Sequence, residues 1–221
     1  MSGPTDETPL GFRPLTRIDF PLLAAWFAAP HVEPWWQEPS GLDALEANYG
    51  PVVDGTDPTE VRIVTLGEVA VGLVQRYLLA DEGALRTTLA PTGVPLDAFG
   101  IDYLIGDPHL TGRGVGTSMI DRFVSESWDR YPGCAACVVA VHQDNRPSWR
   151  ALERAGFTRV WGGRLVSDDP SDAGPQVAYL LRRPRSDGSP DDRGHEVNDR
   201  RADEDASPDV PGSGASRGNQ A

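Results

Sequence analysis

The chain has 221 residues, of which 39% are hydrophobic, and its formal net charge is −13, with 20 arginines and no lysine. This size and composition predict one soluble folded domain. The acidic charge argues against binding of nucleic acid, which needs a basic surface, and favours a cationic small molecule as ligand. No apolar run approaches the ~20 residues of a membrane helix. The polar N-terminus does not resemble a secretory signal, so we expect a cytoplasmic protein with no membrane partner.

The N-terminal part predicts a flexible tail, a strand and two helices. Residues 1–9 are the expected tail and residues 12–15 the strand. Thr16 then suits the N-cap position of a first helix. A second helix is predicted over residues 42–49, where Ser40 and Asp43 resemble a capping box.

Two adjacent tryptophans, Trp35 and Trp36, lie between acidic residues and prolines. In an extended segment their side chains would point in opposite directions. One indole would then pack in the core and the other would face a cleft, where an aromatic face suits a cation. A simpler role as a packed loop anchor stays open.

The next segment predicts a hairpin of two strands, over residues 61–66 and 70–79, with a turn at Gly67-Glu68. Side chains alternate along a strand, so Gln75 and Tyr77 fall on one face. Residues 81–98 are expected to form a loop that could cover a ligand and offer its acids to a cation.

The central stretch, residues 99–124, predicts a strand, a glycine-rich loop and a helix. Three glycines surround Arg113, and the apolar spacing of a helix begins at Val115. The first amides of a helix have no partner within the helix, and the helix dipole is positive at that end. Glycines let an anion approach the backbone, and Arg113 adds a charged donor. The loop therefore predicts a phosphate site, although glycines also form ordinary turns.

Two other nucleotide-binding loops do not fit this stretch. A Walker loop needs a lysine, which the chain lacks. A Rossmann loop needs the spacing GxGxxG near the start of a βαβ unit, and the glycines here have a different spacing and lie in the middle of the chain.

The remaining segments predict a strand over residues 137–141, a helix capped by Asn145, and a closing antiparallel pair over residues 157–166 and 176–181. From residue 185 the chain is acidic and almost without large apolar residues, so residues 185–221 are expected to be a disordered tail after a folded domain of residues 10–184. Cys134 and Cys137 form a CxxC motif without partners for a zinc site, and we expect reduced, structural thiols.

Two sequence blocks resemble the GCN5-related N-acetyltransferases, the GNAT superfamily. The loop Thr111-Gly112-Arg113-Gly114-Val115-Gly116 resembles the family's Gln/Arg-x-x-Gly-x-Gly/Ala pattern and departs from it at Thr111. Residues 145–157 resemble the family's "N…A…YEKAGF" segment, and the likeness extends over about residues 10–183. The resemblance implies an α/β (α+β) fold in which helices flank a mixed, mostly antiparallel central sheet, splayed between its fourth and fifth strands.

The resemblance also implies acetyl-CoA as the acyl donor and no metal. The pantetheine arm would lie between the splayed strands, and the pyrophosphate on amides of the glycine loop. Asn145 matches a family position near the pantetheine, although helix capping alone would also explain it. The implied cofactor-binding residues are Leu104, Ile105, Gly106, Gly112, Arg113, Gly114, Val115, Gly116, Thr117 and Asn145.

The acyl acceptor of such an enzyme is an amine, which is mostly protonated at neutral pH. A carboxylate in the cleft could accept its proton or hold the ammonium in place. Asp102 is the candidate because it interrupts an apolar strand, where an acid is costly unless it has a partner or a function. A position at the solvent stays open.

Gly100-Ile101-Asp102 and the paired-tryptophan segment together resemble one subgroup, the aminoglycoside 6′-N-acetyltransferases. In that subgroup an acid at the position of Asp102 contacts the acetylated amine, and a tryptophan lines the antibiotic site. The resemblance implies an antibiotic-resistance enzyme that acetylates the 6′-amine of aminoglycosides. The implied substrate-binding residues are Trp35, Trp36, Gln75, Tyr77 and Asp102.

Two positions depart from these patterns. The family's tyrosine that protonates the departing thiolate falls on Leu152, and an acid common in the subgroup falls on Ala140. Two alternatives therefore stay open: a siderophore-type lysine N-acyltransferase, whose group favours His at position 102, and a degenerate GNAT fold that binds CoA or a ligand without turnover. A monomer and a homodimer are equally compatible with the sequence.

Overall fold

The computed structural model describes residues 8–166 and 173–184. Within these residues seven strands form one sheet, and six α-helices and three short 3₁₀ turns connect them. Residues 1–7 of the predicted N-terminal tail, and the whole predicted C-terminal tail of residues 185–221, lie outside the described residues, and the domain limits stay a prediction. The elements are β1 Leu10–Pro14, α1 Phe20–Phe27, α2 Glu33–Trp36, α3 Leu42–Val53, β2 Glu60–Leu66, β3 Val69–Leu78, α4 Gly83–Leu89, β4 Ala98–Ile105, α5 Val115–Arg130, β5 Ala136–His142, α6 Arg146–Arg154, β6 Thr158–Gly163 and β7 Gln176–Arg182.

The sheet has the strand order β1-β2-β3-β4-β5-β7-β6, and every neighbouring pair is antiparallel except β4 and β5. These two parallel strands pair only from Ala98 and Ala136 to Gly100 and Val138. Beyond Gly100 they separate, although β4 continues to Ile105 and β5 to His142. The predicted mixed sheet with a splay between its fourth and fifth strands is therefore confirmed.

The sheet separates two parts of the core because its strands are apolar on both faces. On one face Phe99 and Ile101 of β4 pack with Met119, Ile120 and Phe123 of α5. On the other face Leu104 packs with α1 and α3 through Leu23 and Leu45. Neighbouring residues of β4 thus point to opposite helical layers.

The helix boundaries follow local signals in the sequence. Thr16 and Asp19 form a capping box at the 3₁₀ turn that leads into α1, and Asn145 accepts a hydrogen bond from the Ser148 amide at the start of α6. Gly114 precedes α5 with φ +87° and Gly156 follows α6 with φ +83°. The start of α5 and both ends of α6 agree with the predicted positions. Thr16, however, caps the 3₁₀ turn and not α1 itself, and α3 begins after Gly41 without the predicted capping box of Ser40 and Asp43.

Two predicted conformations are wrong. The paired tryptophans lie in a short helix, α2, that ends at Gln37 with φ +51°, and not in extended chain. Residues 81–98 contain α4 and a 3₁₀ turn, and Leu85 and Leu89 are buried against β5 and β7. Burial of these leucines provides stability that the weak local helix signal does not.

Candidate active site

Asp102 lies on β4 opposite Gln75 of β3, and two neutral donors hold its carboxylate. The Gln75 Nε2 donates a hydrogen bond of 2.9 Å to Oδ2, and the Tyr77 hydroxyl donates one of 3.3 Å to Oδ1. The prediction that Gln75 and Tyr77 share a face agrees with this geometry. Both of these donors are neutral side chains.

Gly100 gives the Tyr77 ring the space to lie across β4. A Cβ atom at position 100 would stand 2.3 Å from the ring of Tyr77. Burial, and then the negative charge of Asp102, raise the pKa of Tyr77 well above its ordinary value. The phenol is therefore neutral near pH 7 and acts as a hydrogen-bond donor to Asp102.

The Asp102 carboxylate opens into a cavity of about 300 Å³ that we call the acidic cavity. Glu38, Glu82 and Asp102 line it, and the described residues that line it include no arginine. Glu38 accepts a hydrogen bond of 3.0 Å from the Tyr49 hydroxyl. These three carboxylates give the wall a negative charge that suits a cationic ligand.

Both tryptophans of α2 contribute to the acidic cavity. The Trp35 ring lies 5.6 Å from the ring of His142, across the cavity entrance, and Trp36 stacks on Phe27 of α1 at 5.6 Å. Trp36 is thus anchored to the core, whereas Trp35 reaches towards β5. Consecutive residues of a helix point about 100° apart, so the two indoles have different neighbours. The predicted division into one core and one cleft tryptophan is only partly correct, because Trp36 also lines the cavity.

A second cavity, of about 560 Å³, borders the loop before α5, and we call it the glycine-loop cavity. Gly112 and Gly114 have φ values of +73° and +87°, which side-chain-bearing residues rarely adopt. A Cβ atom at either position would meet no other atom within 4 Å. The first amides of α5 are therefore open to an anion at a helix N-terminus.

The end of β4 borders this cavity through Tyr103, Leu104 and Ile105. Main-chain groups of alternate strand residues point to opposite neighbours. Gly106 N donates to Val71 O of β3, so the main-chain groups of Tyr103 and Ile105 face the gap between β4 and β5. Consistent with this, the His31 Nε2 lies 2.9 Å from Ile105 O. Two of the predicted cofactor-binding residues, Leu104 and Ile105, lie in β4, and Gly106 follows it. Of these three, Ile105 thus turns its backbone to the gap.

Three arginines of α6 line the glycine-loop cavity, and the sequence analysis did not identify them. Arg146, Arg150 and Arg154 are spaced by four residues, so they follow one face of the helix. The guanidinium of Arg150 also lies over the ring of Trp149, 5.6 Å from its centre. Their spacing beside an anion loop is the signal that could have revealed this basic wall.

The two cavities meet at a junction formed by residues that line both. There the Tyr103 hydroxyl and the Ser148 Oγ are 2.8 Å apart and share a hydrogen bond. Burial raises the pKa of Tyr103, so its phenol is neutral near pH 7. The residues common to both cavities are Trp35, Trp36, Tyr103, Asn145 and Ser148.

The structure brings most of the predicted site residues together. The five predicted substrate-binding residues all line the acidic cavity. Among the predicted cofactor-binding residues, Gly106, Arg113 and Val115 are outside the set that lines the glycine-loop cavity, and seven are inside it: Leu104, Ile105, Gly112, Gly114, Gly116, Thr117 and Asn145. The sequence analysis missed Glu38, Tyr103, His142, Ser148 and Gln176, which carry no motif of their own.

The cysteines and the acidic side chains of the described residues form no metal site. Cys134 and Cys137 are buried and free, and burial raises the pKa of both thiols. Within the described ranges no group of three or more His, Cys, Asp or Glu side chains is arranged to hold a metal ion. The described helices also include none that could span a membrane.

A splayed sheet, an anion loop at a helix N-terminus and a carboxylate beside the gap define an acyltransferase of the type that uses a CoA thioester. The chain belongs to the GNAT acetyltransferase family, because the family model for the GNAT acetyltransferase domain matches residues 16–163. Enzymes of this family take the acetyl group from acetyl-CoA. The predicted family and the predicted acyltransferase class are thus confirmed.

The chain is similar to two curated relatives. The aminoglycoside N(6′)-acetyltransferase type 1 of Klebsiella pneumoniae is 27% identical over 180 residues, which are 79% of this chain and 86% of the relative. The enzyme of the same name from Serratia marcescens is 27% identical over 177 residues, or 77% and 82% of the two chains.

Solved structures show the same fold. AAC(6′)-Ib in complex with coenzyme A and kanamycin aligns with a TM-score of 0.66 at 24% identity, over 79% of this chain and 95% of that one. The aminoglycoside N(6′)-acetyltransferase of Legionella pneumophila aligns with a TM-score of 0.59 at 15% identity, over 81% and 95% of the two chains.

Proposed function

We propose that this protein transfers an acetyl group from acetyl-CoA to a primary amine of a polycationic small molecule, and that the 6′-amine of aminoglycosides is the acceptor. The observation that carries the proposal is the acidic cavity, in which Asp102 is one of three carboxylates. This cavity adjoins the glycine-loop cavity at the junction described above. The names of the two curated relatives support the same acceptor.

The residues of the glycine-loop cavity fit a CoA thioester. The open amides at the start of α5 would hold the pyrophosphate, and the arginines of α6 would face its phosphates. The outward-facing main-chain groups of Tyr103 and Ile105 would pair with the amides of the pantetheine arm. Acetyl-CoA supplies an acetyl group that is activated as a thioester.

Asp102 prepares the acceptor amine for attack. A primary ammonium cannot attack until it loses a proton, and a carboxylate at hydrogen-bond distance can hold the ammonium and take that proton. Gln75 and Tyr77 fix the orientation of the carboxylate through their hydrogen bonds at 2.9 and 3.3 Å. Asp102 is therefore the catalytic residue in this proposal, and Gln75 and Tyr77 position it.

The charge of the acidic cavity favours a polycation over the siderophore-type acceptor. An aminoglycoside carries several ammonium groups, which Glu38, Glu82 and Asp102 attract, and the Trp35 ring offers a further contact to a cation. A lysine-type acceptor carries a carboxylate of its own, which the same three acids repel. The siderophore-type group favours histidine at position 102, so Asp102 also supports the aminoglycoside acceptor.

The experiment is an assay of thiol release with acetyl-CoA and a panel of amines. We expect turnover with aminoglycosides that have a 6′-amine, and none with the analogues that have a hydroxyl at that position. Turnover only with hydroxylysine-type amines and longer acyl-CoA donors would show that the acceptor is a siderophore-type lysine and not an aminoglycoside. Binding of CoA and aminoglycoside without turnover would refute the proposed activity.

Replacing Asp102 tests the mechanism itself. We expect Asp102→Asn to lower kcat/KM for an aminoglycoside by about 10²- to 10⁴-fold, the usual loss when a general base is removed. The dissociation constant of CoA should change little, because Asp102 is not among the residues that line the glycine-loop cavity. Asp129→Asn, an exposed acid of α5, is the matched control. Wild-type turnover by Asp102→Asn would remove this residue from its role.

A further inference from the structure

The junction of the two cavities is where the reacting atoms have to meet. The amine enters from the acidic cavity and the thioester from the glycine-loop cavity, so the carbon–sulfur bond that breaks lies at the residues common to both. Tyr103 and Ser148 place two hydroxyl oxygens there, 2.8 Å apart. This inference rests on the proposed function.

The position where the family resemblance places a tyrosine offers no donor to the leaving sulfur. Leu152 is fully buried and packs in the core between α6 and the sheet. Tyr103 reaches the first turn of the same helix from β4 instead, and contacts Ser148, which lies one helical turn before Leu152. A phenol is thus present near α6, although it comes from a different element.

Tyr103 and Asp102 are on opposite faces of the sheet. Asp102 shares its face with Gln75 and Tyr77, whereas Tyr103 packs with the cluster of α5 and α6. An amine that Asp102 holds therefore approaches the acetyl group from one face. The sulfur departs beside the other face, which is the face that carries the two hydroxyl groups.

We propose that the hydroxyl pair of Tyr103 and Ser148 donates a hydrogen bond to the sulfur as the thiolate leaves. One hydroxyl hydrogen is used within the pair. The other competes only with a long contact of 3.4 Å from the Tyr103 hydroxyl to the Ser148 carbonyl oxygen, so it can turn to donate to the sulfur. The new carbon–nitrogen bond forms with the electron pair of the amine, whose proton passes to Asp102 or water. The carbon–sulfur bond breaks with its electron pair on sulfur, and the thiolate later takes a proton from water.

A hydrogen bond is a better assignment than full proton transfer from Tyr103. A free thiol has a pKa of about 8.5 and a phenol one of about 10. Burial raises the pKa of Tyr103 further, so transfer of its proton to a thiolate would be strongly unfavourable. A hydrogen bond from the hydroxyl pair to the sulfur needs no such transfer. It stabilises the negative charge that develops on the sulfur, and so lowers the activation barrier of acetyl transfer.

The test compares the bound thiol of CoA in the wild type and in Tyr103→Phe/Ser148→Ala. The ultraviolet absorption of the thiolate, measured against the complex with desulfo-CoA, gives the pKa of the bound thiol during a pH titration. A donor to the thiolate lowers this pKa. We expect about a tenfold smaller fraction of thiolate in the double variant at a pH below both pKa values, which corresponds to one pKa unit.

A kinetic readout accompanies the titration. We expect kcat of the double variant to fall about 10- to 100-fold, near the low end of what one preorganised donor contributes. The fall should be smaller with acyl donors whose leaving thiols are more acidic, because such thiolates need less stabilisation. Tyr103→Phe alone should show the same two changes in milder form, which keeps the test valid if the double variant does not fold.

Tyr179→Phe is the matched control, since Tyr179 also donates to α6, through Glu153 at 3.1 Å, but lines neither cavity. A bound-thiol pKa and a leaving-group dependence that stay at wild-type values in the double variant would overturn the inference. Absence of acetyl transfer by the wild type, with normal CoA binding, would instead refute the proposed function.

Discussion

Single side chains set the geometry of the candidate site through close contacts. Gly100 leaves room for the Tyr77 ring, and that ring brings its hydroxyl to Asp102. Neither contact is visible in the sequence, where Tyr77 and Asp102 are 25 residues apart. The sequence predicted that Gln75 and Tyr77 share a face, because strand alternation is local. The pairing of Tyr77 with Asp102 needs the register of β3 on β4.

Gly100→Ala should displace the Tyr77 ring from Asp102. The new methyl group would stand 2.3 Å from that ring, and overpacking of this kind costs about 1–3 kcal/mol. We expect a lower free energy of unfolding and about a tenfold lower kcat/KM, measured by denaturant titration and by thiol release. Tyr77→Phe, which removes only the hydroxyl, should lower kcat/KM with a smaller loss of stability. Unchanged kcat/KM in both variants would show that the Tyr77 contact does not orient Asp102.

Gly114→Val should weaken CoA binding, measured by calorimetry. Valine is strained at φ +87°, and its side chain would project into the open space before α5. We expect a loss of at least tenfold in affinity, about 1.4 kcal/mol. Gly55→Val carries the same strain at φ +71° in a turn that lines neither cavity, and should bind CoA normally. Unchanged CoA affinity of Gly114→Val would place the phosphates elsewhere.

Among the elements, those with strong local signals were predicted well and those stabilised by tertiary contacts were not. Capping residues marked the 3₁₀ turn before α1 and the start of α6, and Gly67 with φ +59° forms the predicted hairpin turn. In contrast, α2 has four residues and α4 has seven, too short to be stable alone. Their leucine and tryptophan side chains gain stability only from partners that are distant in the sequence.

The basic face of α6 leads to a prediction about the phosphates of CoA. Arg150→Gln should weaken CoA binding by about three- to tenfold, because a charge-assisted hydrogen bond to phosphate is lost. The loss should shrink in high salt, which screens the interaction. Arg182→Gln, an exposed arginine of β7 outside both cavities, serves as the control. Equal losses of affinity in the two variants would mean that only the net charge matters.

At the scale of the whole molecule, a partly buried network around Arg76 links the sheet to α5. The Glu60 carboxylate of β2 accepts hydrogen bonds from Arg62 and from Arg76, at 2.7 Å for the Arg76 Nη2. The buried Arg76 also donates to the Ser127 Oγ of α5 at 3.1 Å and lies over the Phe123 ring. Burial alone would raise the pKa of Glu60, but the arginines outweigh it and lower the pKa.

This network makes stability depend on pH. Because the pKa of Glu60 is lower in the folded state, its contribution is complete above the pKa of the unfolded chain and disappears as pH falls through the folded value. We expect Glu60→Gln to lower the free energy of unfolding by about 2 kcal/mol near pH 7, and by much less in acid. Denaturant titrations at several pH values measure this. An effect of Glu60→Gln that is independent of pH would contradict it.

The separation of β4 from β5 has a mechanical consequence. Strands β1–β4 and β5–β7 form two half-sheets that share only three residue pairs along one short seam. A molecule whose amides pair with the unpaired edges of both β4 and β5 would take the place of a strand and connect the two half-sheets. Main-chain groups of alternate β5 residues face β7, as Gln143 N does when it donates to Pro175 O, so the Ala140 amide faces the gap. Amide hydrogen exchange at Ile105 and Ala140 should then slow together when CoA is added, so cofactor binding would also complete the architecture of the protein.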